Sequence, residues 1–384
     1  MSQPILIVGG GLAGLTAARL FHQAGIGFKL LEARERLGGR IFSADADGAP
    51  SDDGFDLGPS WFWPGMQPAM GHLVDELGLD YFEQHSAGDV IFQRMPHEAP
   101  QRYRGMRQEP RSMRLVGGTG AIISALAASL PADSIQLGAR VTHVSLDDED
   151  VVVQSVDTSG SSHKERVSHV LFALPPRLIE AKILFSPALD LATSERWQRT
   201  PTWMAPHAKF FALYDRPFWR EAGLSGTGQS MVGPLVEIHD ATTASGQAAL
   251  FGFVGVPASE RAAVGRETIV DASVQQLARM FGAEAASLRA TLYKDWSDDP
   301  LTATVDDTQA SGHPTPDRRP WVTGRWRDFI SLAGSETSVT EPGYLAGAIE
   351  AASRTAKDII GRVIKDERPA SASAAAVALE ESAR

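Results

Sequence analysis

Two glycine-rich stretches of the chain have residue types that can hold an anion. Near the start, Gly9, Gly11 and Gly14 have the spacing G-x-G-x-x-G directly after the apolar run ILIV. The first glycine permits a tight turn, the second lets a pyrophosphate approach the backbone, and the third lets a helix pack closely on a strand. Leu12 and Ala13 lie in the first turn of that helix, where free N–H groups attract negative charge. The pattern predicts a dinucleotide-binding turn.

Glu32 supports the same interpretation, because it ends a second apolar strand 18 residues after the last glycine of the motif. A carboxylate at this place accepts hydrogen bonds from ribose hydroxyls. Ala33 and Arg34 follow it, and Gly39 and Arg40 then offer close backbone approach and a planar charged donor for a phosphate. The alternative is an ordinary glycine turn followed by an exposed glutamate.

The second stretch, GSETSVTEPGYLAGAIEAA, spans 334–352 and also leads into a helical pattern. A helix that starts around Gly343, Tyr344 and Leu345 leaves N–H groups free and carries the positive end of the helix dipole. The two helix starts are more than 300 residues apart. They serve either two anions or the two ends of one long ligand.

Composition excludes several classes of protein. The 384 residues include 36 Lys and Arg against 47 Asp and Glu, so a nucleic-acid or anionic-membrane partner is not expected. The absence of cysteine excludes disulfides, thiolate metal sites and a flavin linked through sulfur. The histidines do not form a ligand set, so no metal is expected. With no leader pattern and no run of ~18 apolar residues, a cytoplasmic location is expected.

The elements that position these residues follow from apolar periodicity and from glycine and proline stops. A single helix, a strand and a loop are expected between 73 and 112, and strands after 131 return the chain to the first sheet. The other expected elements are strands at 5–8 and 27–31, a helix ending near 24, a capped helix at 117–131, and helices at 267–281 and 344–364. This order predicts an α/β fold with a Rossmann-like, doubly wound domain (GxGxxG) and an interleaved α+β domain.

The motifs, taken in order, resemble those of the FAD-dependent amine oxidase family, which includes the monoamine and polyamine oxidases. GGGLAGL…LLEARERLGGR resembles its N-terminal signature, and FDLGPSWF (55–62) resembles its loop beside the flavin. GGTGAI, ARVTHV, KFFALYDRPFW and DWSDDP follow in the family's order, and the resemblance extends to about residue 365. It implies non-covalent FAD as cofactor, with both helix starts serving this one ligand.

The resemblance also implies roles for individual residues. Val141 would contact the adenine, Glu336 the ribityl chain, and the helix start at 343–345 the isoalloxazine. Tyr344 and Trp296 would form the catalytic surroundings of the flavin. The cofactor-binding residues implied by the matching loops are Gly58, Pro59, Ser60, Trp61, Val141, Gly334, Glu336, Gly343, Tyr344 and Leu345.

Three positions depart from the family's pattern. A lysine bridged to flavin N5 is commonly found where this chain, compared without gaps, has Ala258. The second of two facing aromatic rings falls on Asp306, and the position of a cysteine link to the flavin falls on Val305. Lys209, on an alternating strand, is interpreted as structural. These departures leave oxidase and dehydrogenase both open.

The resemblance implies oxidation of a C–N bond of a small amine by hydride transfer to flavin N5, followed by hydrolysis of the imine. The electron acceptor is O2 or another oxidant. A flavin desaturase, a dihydronicotinamide oxidase and a non-catalytic flavin-binding protein are the alternatives. The expected division is an FAD-binding domain of 1–72, 113–178 and 293–365, a substrate domain of 73–112 and 179–292, and a flexible tail of 366–384.

Overall fold

The computed structural model describes residues 3–105, 109–147, 150–308 and 312–367. The helices of this part are, in chain order, α1 Leu12–Gln23, α2 Pro68–Glu76, α3 Gly120–Ala128, α4 Pro176–Lys182, α5 Leu191–Arg199, α6 Phe218–Glu221, α7 Ala258–Val264, α8 Arg266–Phe281 and α9 Leu345–Glu367. The strands are β1 Ile5–Val8, β2 Phe28–Leu31, β3 Ser43–Ala44, β4 Phe55–Asp56, β5 Tyr81–Glu83, β6 Asp89–Gln93, β7 Gln101–Tyr103, β8 Met113–Leu115, β9 Ile135–Gln136, β10 Arg140–Asp147, β11 Asp150–Val156, β12 Ser162–Val167, β13 His169–Phe172, β14 Leu184–Ser186, β15 Ala208–Tyr214, β16 Leu224–Ser230, β17 Leu235–Asp240, β18 Ala248–Val254, β19 Ala290–Asp295 and β20 Ile330–Leu332.

A five-stranded parallel sheet, in the order β20-β13-β1-β2-β9, carries the first glycine motif at its centre. All four residues of β1 are buried, as expected for a central parallel strand. Helix α1 follows β1 and stops before Gly25, whose φ of 71° is the left-handed value that ends many helices. The predicted β-α-β beginning of a Rossmann-like domain is confirmed.

Both faces of the parallel sheet are covered. Helices α1, α2, α3 and α9 pack on one face around side chains such as Leu15 and Phe21. The other face, with Leu6 and Val8, is covered by a four-stranded sheet, in the order β12-β11-β10-β14, and by helices α4 and α5. The second cover is therefore largely a sheet rather than a layer of helices.

A second, seven-stranded sheet forms the other half of the molecule, in the order β19-β15-β18-β17-β16-β6-β7. Helix α8 packs on one face through Leu277 and Phe281. The opposite face, with Phe211 and Phe251, packs against the segment around Phe55 that leads from the glycine motif. This contact joins the α+β part to the Rossmann-like part.

Several predicted elements differ in extent or number. The capped helix expected at 117–131 is α3, but the Thr119 side chain makes no capping hydrogen bond, and its single hydroxyl proton lies within reach of Asp56 Oδ1, at 2.9 Å, and of Pro59 O, at 3.0 Å. The single strand expected in 73–112 is wrong, since β5, β6 and β7 all form there. These strands are short, and β5 and β6 pair with the distant strands β8 and β16, so local periodicity does not reveal them.

The division into domains stays a proposal. Helix α2 packs in the core of the Rossmann-like part, and β14 pairs with β10. Sheet membership therefore favours boundaries after β5 and before β15 over those at 73 and 179. Of the proposed tail 366–384, residues 368–384 lie outside the described part of the chain.

Candidate cofactor and active site

Each of the three motif positions requires glycine for a different steric reason. Gly9 has a φ of 109°, which a residue with a side chain rarely adopts. A Cβ on Gly14 would lie 1.9 Å from Gly9 O, so α1 packs against the turn only because Gly14 lacks one. Gly11 is different, because a Cβ there meets nothing nearer than Gly38 O at 3.7 Å.

Gly11 and Gly39 lie next to each other on the wall of the groove. Gly38 donates its N–H to Gly10 O at 2.8 Å, and this contact brings the second glycine loop alongside the first. A Cβ on Gly39 would meet only Gly11 Cα, at 3.6 Å. Side chains at these positions would project into the space that the predicted pyrophosphate needs. The two loops thus form a cradle beside the N-terminus of α1.

Glu32 lies at the end of β2, as predicted, and its carboxylate is buried. Gly10 N–H donates to Oε2 at 2.7 Å, and Arg34 N–H donates to Oε1 at 2.8 Å. Each carboxylate oxygen can accept a further hydrogen bond. The backbone therefore orients Glu32 while leaving it able to accept from a ribose.

Arg40 connects three separate segments at the groove. Its guanidinium donates to both carboxylate oxygens of Glu336, at 2.6 and 3.2 Å, and to Trp203 O at 2.7 Å. Its Nη2 also donates to Ser335 Oγ at 3.1 Å. The predicted partner of Arg40 was a phosphate, whereas in the structure a carboxylate already balances its charge.

The second helix start is also at the groove, although its free N–H groups lie slightly further along. Gly343 N–H donates to Ser335 O, and Tyr344 N–H donates to Glu341 O. Helix α9 begins at Leu345, so the N–H groups without an intrahelical acceptor start there. The positive end of α9 therefore lies at Leu345, within the start expected at 343–345.

The two helix starts line one groove although they are far apart in the sequence, so they can serve the two ends of one long ligand. The predicted residues on its walls are Gly9, Gly11, Leu12, Ala13, Glu32, Arg34, Gly39, Arg40, Pro59, Trp61, Gly343, Tyr344 and Leu345. A neighbouring cavity shares Gly9, Glu32 and Arg34 and adds the predicted Ala33 and Val141. The resulting groove runs from an apolar end at Val141, past the glycine cradle, to the start of α9. This shape and donor set fit FAD.

Six predicted residues support the groove without lining it in the described part of the chain. Gly58 and Gly334 let backbones approach, since a Cβ would lie 1.9 Å from Arg40 O at the first and 2.3 Å from Leu174 O at the second. Trp296 is fully buried, and its Nε1 donates to Leu57 O at 3.0 Å. The six are Gly14, Gly58, Ser60, Gly334, Glu336 and Trp296.

Lys209 is fully buried against the loop that forms one wall of the groove. Its Nζ donates to Asp56 O, Gly58 O and Ser60 Oγ at 3.1, 2.6 and 2.8 Å. Burial lowers the pKa of Lys209 from its ordinary 10.5 to about 7; Asp56 raises this pKa and Arg114 lowers it further. A titratable cation thus lies directly behind the groove wall.

Ala258 is the first residue of α7 and is absent from the groove walls of the described chain. Its match to the position of the family's lysine stays a prediction. Lys209 does not replace that lysine at the groove, because it is fully buried behind the loop at 56–60 and is absent from the same walls.

Tyr344 has aromatic neighbours that were not predicted from the sequence. The His313 ring stacks on Tyr344, with centroids 4.2 Å apart and planes 4° apart, and on Trp203, with centroids 3.5 Å apart. Asp306 lies exposed in a 3₁₀ turn, where its carbonyl accepts from Arg177. The expected absence of a ring at Asp306 stays a prediction, and Trp203 is a different aromatic residue that lines the groove.

The unpredicted neighbours of the site include Trp203 and Met204, which line the groove, and His313, which stacks on Trp203 and Tyr344. Trp203 and His313 stand in irregular segments without periodicity, and Met204 has a φ of 72°, which no sequence pattern indicates. The one available signal was the pair of aromatic residues Trp203 and His207 just before an apolar strand.

The described residues contain no group of three or more metal-ligating side chains that could hold an ion. No helix among them is both long enough and apolar enough to cross a membrane.

Comparison with known proteins gives the same fold. A family model described as flavin containing amine oxidoreductase matches residues 81–360, and one described as an NAD(P)-binding Rossmann-like domain matches 7–77. A cyclohexylamine oxidase from Brevibacterium oxydans IH-35A superposes with a TM-score of 0.77 at 19% identity, covering 94% of this chain and all of the other. A putrescine oxidase bound to putrescine has a TM-score of 0.77 at 21% identity, with 94% and 99% covered.

Two curated relatives represent different activities. A probable flavin-containing monoamine oxidase A of Dictyostelium discoideum is 24% identical over 470 residues, covering 94% of this chain and 98% of the relative. An L-amino acid dehydrogenase of Synechocystis sp. is 32% identical over 267 residues, covering 66% and 52%. Because the amine oxidoreductase model matches well over half of the 384 residues, the chain is an FAD-dependent oxidoreductase that belongs to the flavin-containing amine oxidoreductase family.

Proposed function

We propose that the protein oxidises a C–N bond of a small amine to an imine, which water then hydrolyses. The observation that carries this proposal is that Trp203 and Tyr344 line the same groove as the glycine cradle. Aromatic faces attract an amine and hold its C–H bond in place, and positioning is most of what this reaction requires of the protein. Bound FAD supplies the hydride acceptor.

The residues around the groove have separate roles in this proposal. The cradle of Gly11 and Gly39 binds the pyrophosphate, Glu32 the ribose, and the start of α9 stabilises negative charge at the ring end. Tyr344 is the proposed catalytic residue. Trp296 holds the backbone at Leu57 and is proposed as a positioning residue rather than as a group that touches the substrate.

Lys209 adds a positive charge behind the same wall. When protonated, it favours negative charge in the groove, and the three acceptors around Nζ keep it in place. Lys209 does not line the groove of the described chain, so it does not take the place of the lysine that Ala258 replaces. We propose O2 as an electron acceptor because the cyclohexylamine and putrescine proteins that share the fold are oxidases.

The proposed substrate is a primary amine, either a monoamine or a diamine. The cyclohexylamine and putrescine oxidases that share the fold represent these two kinds of amine. A desaturase, a dihydronicotinamide oxidase and a non-catalytic flavin protein are less well supported, because the similar proteins reported above are amine or amino-acid oxidoreductases.

Anaerobic reduction of the bound flavin tests the proposal. The yellow holoprotein is mixed with cyclohexylamine, putrescine, an L-amino acid or NADH, and the flavin absorbance is followed. Bleaching by an amine and recovery in air are expected. Bleaching by NADH alone, or by none of the four, would reject the proposal. Recovery only with an artificial acceptor would reject O2 as the acceptor. The cytoplasmic location is tested separately by cell fractionation.

A further inference from the structure

The His313 imidazole fills a slot between two aromatic walls. It lies 3.5 Å from the Trp203 ring and 4.2 Å from the Tyr344 ring, centroid to centroid, with interplanar angles of 24° and 4°. Heavy atoms of stacked groups are in van der Waals contact at these separations, so nothing else fits between the rings. Trp203 and Tyr344 thus form two facing walls whose spacing is that of one intervening ring.

The backbone beneath the slot is shaped to admit this packing. Gly343 has a φ of 88°, and a Cβ there would lie 2.9 Å from Trp203 Cβ and 3.0 Å from His313 Nδ1. His313 Nδ1 lies 3.2 Å from Pro342 O, so the Nδ1–H tautomer donates to that carbonyl. This hydrogen bond and the two stacking contacts hold the imidazole in the slot.

His313 also separates two spaces. Trp203 and Tyr344 line the cofactor groove, whereas His313 lines a second cavity of about 710 Å³ beside α5. That cavity reaches solvent, since the side chains of Arg199 and Arg319 on its wall are 78% and 79% exposed. A displaced imidazole has room there, and so does an arriving ligand.

The three arginines on the wall of this cavity are paired with two carboxylates. Arg199 pairs with Glu195, and both Arg196 and Arg319 pair with Asp317. An approaching amine therefore meets ion pairs with an excess of one positive charge rather than three uncompensated cations.

We propose that His313 is a specificity-determining gate: it occupies the slot between Trp203 and Tyr344, and an amine reaches the flavin from the neighbouring cavity by displacing it. This inference rests on the proposed amine oxidation. A flat or small amine that can replace one imidazole ring between the two walls is the substrate class that the slot selects. The apparent affinity for such an amine is lowered by the fraction of molecules in which His313 fills the slot.

The test uses the holoprotein with His313→Ala, His313→Phe and, as a matched surface control, His22→Ala at the exposed end of α1. Imidazole is the probe for the empty slot, and its binding is followed by the flavin absorption spectrum and by tryptophan fluorescence. His313→Ala is expected to bind imidazole, whereas wild type and His22→Ala are not. The amine concentration that half-saturates anaerobic flavin reduction is expected to fall by about 10- to 100-fold in His313→Ala. The limiting reduction rate stays unchanged.

His313→Phe keeps a ring in the slot but removes the hydrogen bond to Pro342. Its half-saturating amine concentration is expected to equal or exceed that of wild type. An equal fall in the Ala and Phe variants, or no imidazole binding by His313→Ala, would overturn the gate. If no amine reduces the flavin of any variant while His313→Ala still binds imidazole, the proposed amine oxidation is overturned, but the proposal that His313 fills a ligand-sized slot still stands.

Discussion

Arg40 and Glu336, which are 296 residues apart, form a bidentate ion pair at the wall of the cofactor groove, with Nη1 2.6 Å from Oε1. The Glu336 side chain is fully buried, and that of Arg40 is 21% exposed. Because Arg40 follows the glycine cradle and Glu336 precedes α9, this pair holds together the two ends of the chain that form the groove.

Glu336→Ala should destabilise the protein by about 3–5 kcal/mol, because it leaves a largely buried guanidinium without its counter-charge. The free energy of unfolding in urea and the FAD-to-protein ratio measure the effect. Glu221→Ala, which removes the exposed partner of Arg216, is the control and should change stability by less than about 0.5 kcal/mol. Equal losses in the two variants would contradict the linking role of Arg40 and Glu336.

Gly11→Ala should weaken FAD binding but not folding, whereas Gly14→Ala should destabilise the fold itself. The new methyl group at Gly11 has 3.7 Å of clearance from the protein, so the chain folds normally but binds FAD at least about tenfold more weakly. At Gly14 the methyl group would meet Gly9 O at 1.9 Å, so the melting temperature itself falls. Thermal unfolding without added FAD and titration with FAD separate the two effects. Normal FAD affinity in Gly11→Ala would contradict the cradle.

Tyr344→Leu should raise the amine concentration needed for flavin reduction by roughly 3- to 30-fold, the worth of one cation–aromatic contact. Tyr344→Phe keeps the aromatic face and should stay close to wild type. Both variants should retain FAD, since the backbone of the α9 start is unchanged. Tyr103→Leu, at an exposed position, is the control. An effect of equal size in the Phe variant would assign the role to the hydroxyl instead.

Lys209→Met should remove a pH dependence of stability that lies between about pH 7 and pH 10.5. The folded-state pKa of Lys209, about 7, is below the unfolded value of 10.5, so the unfolded chain binds the additional proton within this window. Wild type therefore gains stability as pH rises through the window, by roughly 2 kcal/mol between pH 7 and pH 9. Urea unfolding of both proteins across this range measures the difference.

The control for that experiment is Lys164→Met on the exposed side of β12, which should keep the wild-type pH dependence. A Lys209→Met protein whose stability rises with pH as steeply as that of wild type would show that Lys209 remains charged in the fold.

Much of the Rossmann-like part was predictable because its signals are local. The buried run Ile5–Val8, the glycine spacing and Glu32 at the end of β2 each report a short-range constraint: strand burial, a turn, and a carboxylate beside it. The short strands β6 and β7 were not predictable, because their partners lie far along the chain or at a sheet edge. Sequence spacing likewise could not show that Lys209 is buried against the loop at 56–60.

The sequence by itself determined the fold class and the two helix starts, since each depends on residue types within one turn or one strand, and FAD followed from the resemblance of the motifs, in their order, to those of the amine oxidase family. Only the tertiary structure decided that both starts line one groove, that Arg40 pairs with Glu336, and that the His313 ring lies between Trp203 and Tyr344. Those contacts join irregular segments from distant parts of the chain. Their geometry depends on how the two sheets pack together, and no periodicity in the sequence encodes it.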